Sequence, residues 1–213
     1  MSDYNKATLK SMPPEEWEAH LHAVIGNTSG AEPSMIEATD KAAKLYFNYV
    51  FDGQTEAFVE LDLFPTYDEG EIGFVFVEKA AKHINGREIV QDIIGIAETL
   101  GCTQLKVSAR DVGSYFWARC GFAPDETMDW SILRDGIFSR LGKIYLGGRE
   151  EAGHLINQAI ESDNSNMLAV IADSVLGKEL LLNQEWEGTL DLTDEVARGR
   201  LEAYTQSPTR YQS

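Results

Sequence analysis

Between residues 55 and 124 the chain changes its period, and that change is the strongest constraint on its fold. "TEAFVELDLF" and "GEIGFVFVEK" are rich in aromatic and β-branched residues, and "PTYDEG" between them carries the Pro, Asp and Gly of a connecting turn. This pattern predicts an antiparallel hairpin. "GREIVQDIIGIAETLG" then switches to helical spacing, with Ile89, Ile93, Ile96, Ala97 and Leu100 on one face and Gly101 as its stop. A short strand, "CTQLKVSAR", and a second helix, "DVGSYFWARCGF", ending at Gly121, complete a βαβα order. Such an order favours a parallel pairing of the strands on either side of the helix, and so an α/β class with a mixed sheet.

The flanks read as helical. "PPEEWEAHLHAVIG" puts prolines and acids at a helix start, with Trp17, Leu21, Val24 and Ile25 on one face. A second helix is expected from about Ser34 to Val50. Beyond residue 144, "REEAGHLINQAIES", "MLAVIADSVLGKELLLN" and "TDEVARGRLEAYTQ" predict further helices, the last capped by Thr193, followed by a loose "SPTRYQS" tail. The expected organisation is a domain over residues 1–144 and a helical C-terminal extension over 145–213.

Charge narrows the function classes. With 18 Lys and Arg against 35 Asp and Glu the formal net charge is -17, which argues against nonspecific nucleic-acid binding. The acidity suits a solvated surface or a basic partner. No apolar run reaches the roughly 18 to 20 residues of a spanning helix, so no membrane role is expected. "MSDYNKATLK" lacks the apolar stretch of a secretory signal. The only cysteines are Cys102 and Cys120, so the expected setting is reducing and cytoplasmic. His20 and His22 have no third ligand nearby, and no metal is expected.

"IVQDIIGIAETLGCTQLKVSAR" followed by "YFWARCGF" resembles the core of the GCN5-related N-acetyltransferases, the GNAT superfamily. The likeness covers roughly residues 55 to 135. It implies a GNAT-like fold with acetyl-CoA as cosubstrate and an amine of a small molecule or protein as acceptor. The pantetheine arm would run along Phe76 and Val77. The pyrophosphate would sit over "KHINGRE", with Lys82, His83, Asn85, Gly86 and Arg87 as contacts and Phe116 also on the cofactor side. The family's Gln/Arg-x-x-Gly-x-Gly/Ala turn is matched only at its last position, Gly86. Ile84 and Ala81 stand at the other two. "KHINGR" also reads as a plain polar loop turning at Asn85-Gly86.

A transfer to an amine needs a base to take its proton. By the same resemblance Glu78 is the first candidate and Glu60 the second. The family's acid, a Tyr four residues before the closing Gly, is here Trp117, whose indole N–H is a very poor acid. Tyr115 is the available substitute. Tyr115, Phe116 and Trp117 equally fit a packing wedge. Two functions therefore stay open: an acyl-CoA-dependent N-acyltransferase, or a catalytically inactive member of the same fold that binds other proteins. A phage virion component is the concrete case of the second, with the C-terminal helices as contact surface.

Overall fold

A computed structural model describes residues 9–28, 30–39, 41–124, 129–144, 146–147, 149–162, 164 and 166–206. The "SPTRYQS" tail lies outside the described residues. Among the described residues the chain is a mixed α/β protein. Its seven-stranded sheet has the order β1-β2-β3-β4-β5-β7-β6, for strands Ala31–Ala38 (β1), Ala43–Phe51 (β2), Gln54–Phe64 (β3), Glu69–Val77 (β4), Gln104–Ala109 (β5), Ala123–Pro124 (β6) and Trp186–Asp191 (β7). Helices Pro14–Gly26 (α1), Gly86–Thr99 (α2) and Val112–Cys120 (α3) precede β6. Asp129–Leu141 (α4), Glu150–Glu161 (α5), Met167–Asp173 (α6), Gly177–Leu181 (α7) and Glu195–Gln206 (α8) follow it. Contacts divide the chain into a first unit, Met1–Leu105 with Asp191–Thr193, and a second, Lys106–Leu190 with Asp194–Ser213. The division falls inside β5.

The first unit is built on an antiparallel meander, β1 to β4. In β2 and β3 alternation sorts the side chains. Ala43, Leu45, Phe47, Tyr49, Ala57, Val59, Leu61 and Leu63 are buried on one face, together with Trp17, Leu21 and Ile25 of α1 and Ile89 and Ile93 of α2. Each such large apolar side chain contributes roughly 1.5–3 kcal/mol by leaving water. Tyr49 donates its hydroxyl to Asp92 of α2 at 2.8 Å, which ties that helix to this face. Burial, then the Asp92 charge, raises the Tyr49 phenol above its ordinary range.

The hairpin, α1 and α2 form as the sequence predicts, but the helix expected over 34–50 does not. Those residues form β1 and β2 instead. Thr39 closes the turn between them: its Oγ1 accepts from the N–H groups of Lys41 and Ala42, and its own N–H donates to the Ala42 carbonyl. Across β2 the buried Ala43, Leu45, Phe47 and Tyr49 alternate with Lys44, Tyr46 and Asn48, a period of two that outweighs helix propensity.

In β4 the register slips opposite Glu60 and Leu61. Glu60 pairs with Phe74 and Leu61 with Ile72, leaving Gly73 as the extra residue of a bulge. A Cβ on Gly73 would lie 3.1 Å from Glu60 Cγ, so a side chain here would press on the neighbouring strand.

In the second unit, Trp117, Ala118, Cys120, Phe122, Trp130, Ile137, Ile156, Ile171, Leu180 and Leu190 are buried. The apolar "MLAVIADSVLGKELLLN" forms two short helices, α6 and α7, with Leu168, Ile171, Leu176, Leu180 and Leu181 buried. Arg140 of α4 donates to the carbonyls of Leu180, Leu182 and Asn183, fixing the chain after α7. β7 is a strand that the sequence pattern does not predict, and β6 pairs with it antiparallel. The cap of α8 is Asp194, whose Oδ1 accepts from Val196 N at 2.8 Å, while Thr193 bonds Asp191 instead.

Candidate functional site

The turn between β4 and α2 is organised by Glu56, a residue of β3 that no sequence motif singles out. Its Oε2 accepts from the backbone N–H groups of Lys82 and His83 at 2.9 and 2.8 Å, and its Oε1 lies 2.8 Å from His83 Nδ1. His83 is also stacked on Phe51, ring centroids 5.1 Å apart. Burial works to raise the Glu56 carboxyl, but the backbone and ring of His83 and the N–H of Lys82 outweigh it and hold the group below its ordinary value. A carboxylate thus fills an anion cradle made of backbone N–H groups.

The start of α2 is closed in the same way. Asn85 Oδ1 accepts from Arg87 N at 3.0 Å and Glu88 N at 3.3 Å, and Glu88 Oε2 accepts from Asn85 N at 2.9 Å, a complete capping box. Lys82, His83, Asn85, Gly86 and Arg87 stand around this one turn. The backbone donors of Lys82, His83, Asn85 and Arg87, however, face protein acceptors. A pyrophosphate bound there would have to displace Glu56 and compete with Asn85.

The candidate bases differ in setting. Glu78 is exposed just past β4, its backbone N–H bonded to the Glu56 carbonyl at 2.8 Å. Glu60 points to the solvent face of the meander and pairs with Lys44 Nζ at 2.7 Å; Asp62 Oδ2 takes the same ammonium at 3.1 Å. The hydrogen bonds to Glu60 and Asp62 raise the Lys44 ammonium above its ordinary range. Phe76 is exposed and Val77 partly so.

Tyr115 and Phe116 belong to the second unit. Tyr115 accepts a hydrogen bond from Arg119 Nη1 at 2.9 Å. Phe116 meets Trp117 edge-on at 5.0 Å and Tyr204 at 6.1 Å, and Trp117 meets Phe122 at 5.2 Å. The segment works as a wedge of interlocking rings. Both cysteines are buried, and burial followed by the Asp68 charge pushes the Cys102 thiol up to about 12, which leaves it un-ionised and a poor nucleophile. Among the described residues no group of His, Cys, Asp and Glu is arranged to hold a metal ion.

A second feature absent from the sequence motifs lies on the face of the meander opposite α1 and α2. Tyr46, Phe58, Phe74 and Phe76 form a chain of ring contacts across β2, β3 and β4, with successive centroids 6.2, 6.1 and 6.5 Å apart. Phe74 and Phe76 remain 49% and 45% exposed. Phe58 keeps the parity of Glu60 and Asp62, but Phe74 and Phe76 share the parity of the buried Ile72 and reach this face only through the Gly73 bulge, which hides the feature from a period-two reading. Compared with known proteins, the sequence matches no family model and no curated protein. Among the described residues no helix is long and apolar enough to cross a membrane.

Proposed function

We propose that the chain is a non-catalytic binding protein built on a GNAT-like core, acting as a structural or interaction component of a larger protein assembly. A virus particle is one such setting. The observation that carries this reading is the Glu56 carboxylate in the turn after β4, with the capping box beside it. The resemblance assigns that turn to pyrophosphate, and a fixed protein anion there opposes a second one by charge and by occupancy. Glu60 in its ion pair and Tyr115 under Arg119 add that two of the candidate catalytic groups already have partners. The order of hairpin, helix, strand and closing helix supports the GNAT-like ancestry.

The competing reading is an N-acyltransferase using acetyl-CoA and an amine, and the exposed Glu78 at the end of β4 is the observation in its favour. A thermal-shift titration of the full chain decides between them, because a ligand that binds only the folded state raises its melting temperature by mass action. We expect no shift with acetyl-CoA up to about 1 mM, a concentration that would stabilise any site of micromolar affinity measurably. A saturable rise overturns the binding-protein reading.

A further inference from the structure

We propose that the aromatic face of the meander is a docking surface for a cationic, partly apolar segment of another protein. This inference rests on the binding-protein reading above and names the partner's chemistry. The meander buries one face under α1 and α2 and leaves the other with a row of touching rings, two of them half exposed, the kind of exposed apolar patch that marks an interaction site.

Charge selects the occupant. Lys44 is the only basic residue in β1 to β4, whereas Glu37, Glu60, Asp62 and Glu71 are among the acids on the same face as the rings. The register shows this directly: Glu37 lies opposite Lys44, and Asp62 opposite Glu71. Lys44 supplies the pattern of recognition within the chain itself. Its ammonium sits between two carboxylates and 5.8 Å from the centre of the Tyr46 ring. A partner's Lys or Arg can repeat that arrangement on Phe58, Phe74 or Phe76, while its apolar side chains cover the ring edges.

The same charge argues against other occupants. A second copy would bring one net charge of -17 against another, and nucleic acid or an anionic bilayer would meet the same repulsion.

The test uses the full chain and a fluorescein-labelled synthetic peptide that alternates Lys with Val, followed by fluorescence anisotropy. We expect saturable binding that weakens with added salt. The double variant Phe74→Ser/Phe76→Ser should lose about tenfold or more in affinity, the scale of a central aromatic contact. Glu195→Gln/Glu202→Gln, on the exposed side of α8, should bind as the original does. Absence of saturable binding overturns the proposal, as does an equal loss in both variants, which would mean diffuse charge attraction.

Sedimentation of the unliganded chain at twice the monomer mass, reverting in the Phe variant, also overturns it in favour of self-association. Should the Phe variant not fold, hydrogen exchange of the original chain with and without peptide decides. Added protection in β3 and β4 supports the surface, and protection confined elsewhere overturns it. Failure here is separable from failure of the function reading. A response to acetyl-CoA with peptide binding intact removes only the non-catalytic assignment, and loss of peptide binding with no acetyl-CoA response removes only the surface.

Discussion

Glu56 shows how one side chain can take over a loop's chemistry. It satisfies two backbone donors that would otherwise be open to solvent, and it does so as an anion, so its effect depends on pH. Its folded-state pKa is depressed, hence its contribution is complete above the ordinary carboxylate range and is lost as pH falls through that range and below it. Urea unfolding followed from about pH 6 to about pH 3 should therefore show a stability decline that is shallower in Glu56→Gln, which has no carboxyl to protonate. Parallel curves for the two proteins would mean that the turn does not draw on the charge. Asp92 behaves in the opposite sense. Burial raises its carboxyl above the usual value despite the Tyr49 hydroxyl, so charging it as pH rises works against the fold.

Among the elements, α3 and the strand after it depend on a left-handed residue. Gly121 has φ of 94° and ends α3 with its N–H on the Ala118 carbonyl at 3.2 Å, while Phe122 N reaches back to Trp117 O at 3.1 Å. That turn is what delivers Phe122 onto Trp117. Gly121→Ala should cost about 1–2 kcal/mol through the backbone penalty alone, since the nearest atom to the new Cβ would be an ordinary contact at 3.5 Å. Chemical denaturation reads this directly, and an unchanged midpoint would show that the turn relaxes.

This stretch is legible in the sequence because its signals are local: Gly101 and Gly121 stop helices, and Ala57, Val59, Leu61 and Leu63 alternate in β3. The elements that escape a sequence reading are those whose signal is split between partners. β1 carries only a broken alternation, interrupted between Pro33 and Met35, and it is defined by its pairing with β2. β7 buries Trp186, Gly188 and Leu190 at alternate positions, but the middle one is a glycine, which has no side chain for a periodicity to register. The candidate site divides in the same way. The residues of the "KHINGRE" turn stand together in the sequence, whereas Glu56, 26 residues before Lys82, is joined to them only by folding.

For the whole molecule, the largest electrostatic effect visible in composition is self-repulsion. At a net charge of -17, compaction brings like charges together, and added salt should relieve this. Raising NaCl from about 10 mM to about 150 mM shortens the screening length from roughly 30 Å to roughly 8 Å. The urea midpoint should rise over that interval; a midpoint that falls would show that favourable ion pairs such as Lys44 with Glu60 outweigh the repulsion.

The division of the chain bears on how it is made. Asp191–Thr193 belongs to the first unit, where Leu192 donates its N–H to the Thr103 carbonyl at 2.8 Å, yet the ribosome delivers it after Lys106–Leu190, the larger part of the second unit. During synthesis the meander and its two helices can assemble early. Their unit gains the Leu192 segment only when translation is nearly finished, so the first unit can begin to fold early but is completed late.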